Sequence, residues 1–281
     1  MLVDTPEWDI ALAGLLGLLI GSFLNVLIHR LPKMMEQQWA AECASLSGTP
    51  SPDKPTYNLW VPRSACPHCD HAIRWYENLP VLSYVFLRGK CAACGAGISL
   101  RYPLVELTTG ALFAASIWQW GMTPTGWAWS AFGAVLLALA AIDWDTTLLP
   151  DDLTLPLLWA GLCAAALGWT ATPLAHAFWG AVAGYLSLWL VFWAFKLATG
   201  KDGMGYGDFK LFAALGAWFG WQALVPIILM ASVVGAVVGI AMKFSSQLRE
   251  GGYVPFGPFL AVAGFTALWV TPARMLTFVG L

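Results

Sequence analysis

Two C-x-x-C pairs, Cys66-Pro-His-Cys69 and Cys91-Ala-Ala-Cys94, stand out in a chain that has six cysteines. Their spacing lets two knuckles bring four thiolates to one tetrahedral ion, and zinc suits such a set. A structural disulfide pair is disfavoured in a reducing compartment. A redox C-x-x-C belongs on a thioredoxin-like βαβ unit, which so short a segment cannot supply. Four protein ligands leave no open position, so this zinc would hold the segment together and would not activate water. His68 and His71 flank the first knuckle and could replace a thiolate or simply lie exposed. Cys43 and Cys163 fall outside the pattern, and Cys163 is expected as a small buried apolar residue within a helix.

A second kind of chemistry is suggested by two aspartates at the ends of long apolar runs. Asp143 occurs in Ala-Ala-Ile-Asp143-Trp-Asp145, and Asp208 in Gly205-Tyr-Gly207-Asp208-Phe-Lys210. Ionisable residues near bilayer depth are costly, which makes each one a functional candidate. Two carboxyls in a partly dry pocket cannot both ionise easily, so they share a proton and titrate together. Such a pair hydrolyses a peptide without metal. The ionised member takes a proton from the attacking water, and the protonated one stabilises the oxyanion and then protonates the leaving amine. Gly205 and Gly207 would allow close approach of backbone or substrate. The same residues also have plain structural uses: Asp208, or Asp151 and Asp152 after Pro150, could cap helices, and Asp143 and Asp145 could be solvated at a helix end.

The elements that would position these residues are set by a chain that is 59% hydrophobic and only 11% charged, so most of it is solvated by lipid. A formal net charge of -2 argues against nucleic acid as a partner, and the 17 Trp suit membrane–water interfaces. The run Ile10 to Ile28 is long for a signal-peptide core and lacks a preceding basic residue, so it reads as a retained helix. Apolar stretches predict about eight transmembrane helices, near 10–28, 103–120, 127–142, 153–170, 176–196, 209–222, 224–242 and 255–272. Arg30, Lys33, Lys54, Arg63, Arg74, Arg88, Lys90 and Arg101 place the segment between the first two spans in the cytoplasm, with acidic Asp4, Glu7 and Asp9 outside. Lys196, Lys201, Lys210, Lys243 and Arg249 then fall inside too, and both aspartates lie at the cytoplasmic rim. The expected architecture is an all-α polytopic membrane protein with a cytoplasmic zinc-ribbon-like insertion. Residues 1–30 would form the first transmembrane helix, 31–102 the cytoplasmic loop, opening with a solvated excursion from Lys33 to Tyr57, and 103–281 the remaining spans.

Several motifs in fixed order resemble the bacterial type IV prepilin peptidases along nearly the whole chain. They are Gly21-Ser-Phe-Leu-Asn-Val26 with Arg30-Leu-Pro32, the C-x-x-C pairs around Trp75-Tyr-Glu-Asn78-Leu-Pro80, Arg101-Tyr-Pro-Leu-Val-Glu106, Asp143 with Leu149-Pro-Asp151, and Gly205-Tyr-Gly-Asp208-Phe-Lys210. The resemblance implies that Asp143 and Asp208 are the catalytic pair of an intramembrane aspartic peptidase in the bacterial inner membrane. Its substrates would be type IV prepilins and pseudopilins, cut on the cytoplasmic side. It further implies N-methylation of the new N-terminus with S-adenosylmethionine, for which Gly89 and Glu106 are the candidate residues. Each has a simpler use, Gly89 in a knuckle turn and Glu106 as a carboxylate at a helix start. Other readings are a peptidase without methyl transfer, a zinc-bearing proton-coupled transporter and a membrane thiol oxidoreductase. The transporter predicts an internal repeat that is not found, and the oxidoreductase needs its cysteines on the oxidising side. Gly17-Leu-Leu-Ile-Gly21 could pack helices closely, within one chain or between two.

Overall fold

A computed structural model describes residues 5–48, 56–244, 254–270 and 274–275. Among them there is no strand, and all eight expected apolar segments are helical: α1 (Glu7–Leu46), α3 (Arg101–Trp120), α4 (Pro124–Thr146), α5 (Asp151–Ala166), α6 (Leu174–Thr199), α7 (Tyr206–Phe219), α8 (Leu224–Phe244) and α9 (Gly257–Trp269). Between α1 and α3 lie a 3-10 turn, Trp75–Asn78, and the short α2 (Leu82–Phe86). Among the described residues four segments are long and apolar enough to cross a membrane, namely Glu7–Leu46, Pro124–Thr146, Leu174–Thr199 and Trp221–Phe244. Large apolar side chains such as Leu12, Leu15, Leu19, Leu190, Val237 and Ile240 face outward, a surface that suits lipid and not water. Asp4, Lys54 and Arg249, which contributed to the charge bias, lie outside the described residues.

The chain divides into two compact units, Met1–Ala134 and Val135–Leu281. In the first, α1 packs on α3 through glycine. A Cβ at Gly17 would stand 2.8 Å from the Gly110 Cα, and one at Gly21 would stand 2.7 Å from the Glu106 Cα. The Gly17/Gly21 pair therefore serves intramolecular helix packing, where removal of two side chains lets backbones approach. Asn25 Nδ2 donates to the Tyr102 carbonyl at 3.1 Å, fixing the register of the two helices. Buried Arg30 donates to the carbonyls of Asn58 at 2.8 Å and Pro62 at 2.7 Å, clamping the start of the polar insertion to α1.

In the second unit α7 is the central helix. Phe209, Leu211, Leu215 and Trp218 are buried around its circumference, as expected of a helix apolar on every side. It packs against α5, α6, α8 and α9. The Trp218 indole donates to the Leu157 carbonyl at 2.9 Å, so the one polar atom of that buried ring is satisfied.

Two expectations are corrected. The helix that begins at Glu7 does not end near residue 30 but runs to Leu46. Pro32 is accommodated inside it, and the following Met-Met-Glu-Gln-Gln-Trp-Ala-Ala-Glu run consists mostly of strong helix formers, which outweigh the loop signals that begin at Ser45. Gly48, at φ 64°, follows the helix end. Cys163 is exposed on α5, beside Trp159, Ala166 and Phe178, and not buried in protein, because its face of α5 is not covered by another helix.

Candidate functional site

Asp143 lies in the last turn of α4 and Asp208 in the first turn of α7. Both are buried, with 4% and 7% of their surface exposed, and the charge of Asp143 acts on Asp208. Asp145 is exposed, because two positions along a helix turn a side chain by some 200°. Asp208 is not the N-cap of α7: Gly205 is, and Asp208 sits three residues further, at N3, from where its carboxylate accepts the Gly205 N–H. Nor does Asp151 or Asp152 cap α5, whose N-cap is Pro150.

A third helix contributes to the pair. The Gly257 N–H, at the start of α9, donates to Asp143 Oδ2 at 2.9 Å. A helix N-terminus carries unpaired donors and a partial positive charge, so this contact holds a carboxylate in place. Asp208 Oδ1 is buried and has no hydrogen-bond partner among the described residues. Leu149 wedges between the elements: Cβ atoms built on Gly207 and on Gly257 would both run into it. Of the two glycines before Asp208, therefore, Gly207 is required by packing, whereas a Cβ at Gly205 would meet only Asp208 Oδ2, at 3.7 Å. Lys210 Nζ bridges both Asp151 oxygens at 2.6 and 2.7 Å, tying the start of α5 to the start of α7.

The four cysteines form a second cluster in the first unit. Each C-x-x-C is closed by an antiparallel bridge, Ala65 with Ala72 and Lys90 with Gly97, and the two knuckles repeat the same turn. Cys66 N–H donates to the His71 carbonyl and Cys91 N–H to that of Ala96, while Asp70 and Gly95, both at positive φ, donate back to Cys66 and Cys91. All four Sγ atoms lie within 4.8 Å of one another, with Cys66 to Cys94 at 3.8 Å and Cys69 to Cys91 at 4.0 Å. A zinc tetrahedron with Zn–S bonds of about 2.3 Å has S···S edges of about 3.8 Å, so the donor set fits that ion. Backbone N–H groups of Cys94 and Ala93 bring the Cys91 thiol down to about 6. At Cys69 the His71 N–H favours the thiolate, but burial and the other three thiols outweigh it and push the group up to about 12. Four sulfurs this close cannot all be thiolates without a cation among them. His68 is exposed, and His71 Nε2 faces Glu77 Oε2 at 3.1 Å.

The profile of the Bacterial Peptidase A24 N-terminal domain matches residues 15–120, and that of the Type IV leader peptidase family matches residues 130–240. A Prepilin leader peptidase/N-methyltransferase of Pseudomonas aeruginosa is 55% identical over 255 residues, covering 90% of this chain and 88% of the relative. Proteins of the same name from Burkholderia pseudomallei K96243 (53% over 274 residues; 95% and 88%) and Stutzerimonas stutzeri (52% over 268 residues; 95% and 92%) are comparably similar. The chain belongs to the type IV leader peptidase family. No solved structure shows a significant match to it. The four cysteines fall in the part shared with the A24 N-terminal domain, and Asp143 and Asp208 in the part shared with the leader peptidases. These relatives give no support to a transporter.

Gly89 and Glu106 are placed at the two ends of α2. Glu106 Oε2 accepts the Val81 N–H at 2.8 Å, holding Val81 at φ 60° just before α2. Gly89, at φ 67°, donates to the Tyr84 carbonyl at 2.9 Å and closes the turn after α2. Sequence reasoning missed Gly257, and named Leu149, Arg30 and Glu77 only within motifs, without the contacts they make. The Pro255-Phe-Gly257-Pro258 run was a usable signal, since Gly followed by Pro at the head of an apolar run marks a helix start with a donor to spare.

Proposed function

We propose that this family member is a bifunctional prepilin leader peptidase/N-methyltransferase of the bacterial inner membrane. The observation that carries the first activity is the meeting of Asp143 and Asp208, buried and within Coulombic reach, with the Gly257 N–H on Asp143. Asp143, which already accepts a donor, serves as the carboxylate that takes a proton from water. Asp208 is the acid: it stabilises the oxyanion through its proton and then delivers it to the leaving amine. The charge bias supports about eight spans and an active site opening to the cytoplasm, where the basic leader of a type IV prepilin or pseudopilin would be presented. Residues 1–30, 31–102 and 103–281 then correspond to an entry helix, a cytoplasmic loop and the peptidase bundle, although α1 continues beyond the first boundary.

Cys66, Cys69, Cys91 and Cys94 are proposed to hold one structural zinc in a ribbon-like fold. S-adenosylmethionine supplies the methyl group for the second activity, as the relatives' name implies. Gly89 and Glu106 are proposed to serve it by fixing the two ends of α2, between the cysteine knuckles and α3. The test of the peptidase is the set Asp143→Ala, Asp143→Asn and Asp208→Ala, assayed on full-length prepilin by product mass. Each should insert in the membrane and cut nothing. Normal cleavage by any folded one of them removes that residue from the mechanism.

A further inference from the structure

Between the Trp75–Asn78 turn, α2 and the second knuckle lies a cleft of about 660 Å³ whose lining mixes aromatic, charged and small residues. A cleft of similar volume, about 590 Å³, between α5 and α6 is almost wholly apolar and has no charged side chain in its lining. The first has the size of a small-molecule site and a small set of convergent polar groups. We infer that this cleft is the binding site for S-adenosylmethionine, an inference that rests on the methyltransferase half of the function proposed above.

The fit comes from the side chains. Tyr76 and Phe86 are exposed aromatic rings that both line the cleft, able to stack on an adenine and to face a sulfonium cation with their π surfaces. Arg74 donates through Nη1 to the Tyr76 hydroxyl at 2.6 Å, and its other guanidinium N–H groups have no partner among the described residues, so they can take a carboxylate. Glu77 uses one oxygen, Oε2, for the Arg74 N–H at 2.9 Å and for His71; Oε1 has no partner among the described residues and can accept ribose hydroxyls or an ammonium. The Arg74 N–H, with His71, keeps the Glu77 carboxyl below its ordinary range, so it is charged at neutral pH. Charges of both signs within one cleft match a ligand that carries an ammonium, a carboxylate and a sulfonium, whereas a basic leader peptide would call for an acidic lining. Ala92 and Ala93, between the second pair of cysteines, also line the cleft, so the knuckle gives it part of its shape. Glu106 and Gly89, at either end of α2, hold the wall that carries Phe86.

The experiment is equilibrium dialysis of the full chain in nanodiscs against radiolabelled S-adenosylmethionine, followed by ultraviolet photolabelling and peptide mapping. Wild type should bind, with label in the 71–93 region. Arg74→Met and Tyr76→Ala should each weaken binding at least tenfold, and Ala93→Phe, which adds a ring to a small lining position, should do the same. Zinc content and unfolding temperature report that each variant is folded. Wild-type affinity in folded Arg74→Met and Tyr76→Ala, or label confined to another segment, would overturn the assignment while leaving methyl transfer intact. A wild-type chain that neither binds the methyl donor nor methylates a cleaved pilin would overturn the methyltransferase reading itself.

Discussion

Replacing Gly257 by Ala places one methyl group beside the buried Asp143 carboxylate. The new Cβ would stand 2.6 Å from Asp143 Oδ2 and 3.2 Å from its Cγ. Ordinary C···O contacts are no closer than about 3.3 Å, so the carboxylate must retreat by roughly 0.7 Å. Retreat stretches the 2.9 Å Gly257 N–H contact beyond hydrogen-bonding range. Hydrogen bonds to charged groups contribute about 1.5–3 kcal/mol, and about 1.4 kcal/mol is tenfold in rate, so cleavage should fall about 10- to 150-fold. The fold should survive, because Ala is favoured over Gly in helices by up to about 1 kcal/mol. Gly205→Ala is the control: its Cβ meets Asp208 Oδ2 at 3.7 Å, an ordinary contact, and its φ of -79° suits any residue, so activity should stay within about threefold of wild type. Initial rates on full-length prepilin, read by mass spectrometry beside thermal unfolding curves, decide. A Gly257→Ala enzyme cutting at the wild-type rate, or a Gly205→Ala enzyme as impaired as Gly257→Ala, would refute this account of how Asp143 is held.

The cysteine cluster should contain one zinc per chain with four sulfur ligands; elemental analysis and X-ray absorption test this, and an active but metal-free native preparation would sink it. The Lys210–Asp151 pair is partly exposed, so Lys210→Met should cost no more than about 1 kcal/mol in unfolding free energy, and the exchange Lys210→Asp with Asp151→Lys should restore most of it. Gly89→Ser forces a side chain to within 2.8 Å of the Tyr84 hydroxyl at a positive φ, and Glu106→Gln removes the charge that receives the Val81 N–H. Both should lower N-methylation more than cleavage, leaving cut, unmethylated pilin visible by mass; parallel loss of the two activities would point instead to a shared substrate platform.

Much of this molecule is written in local pattern. Two C-x-x-C pairs announce two knuckles because the turn that presents both sulfurs needs only the residues between them. Apolar runs of near-bilayer length announce helices because lipid leaves the backbone no other partner. Asp143 and Asp208 were visible for the cost of placing a carboxylate at the end of such a run. What tertiary structure alone decided are the pairings between elements. Asp143 is buried and Asp145, two positions on, is exposed, a distinction that two aspartates in one helical turn do not announce in sequence. Its donor comes from Gly257, 114 residues away, and the Lys210–Asp151 link spans 59. Cys66 faces Cys94 and Cys69 faces Cys91, a crossing that spacing permits but does not dictate. Glu106 reads as an ordinary helix-start carboxylate until Val81 is seen to lean on it. Helical periodicity is a property of neighbours in the chain, whereas these contacts depend on which glycines let two backbones approach and on how far one helix slides along the next. That choice is made by the packing of many side chains at once, and no single stretch of sequence contains it.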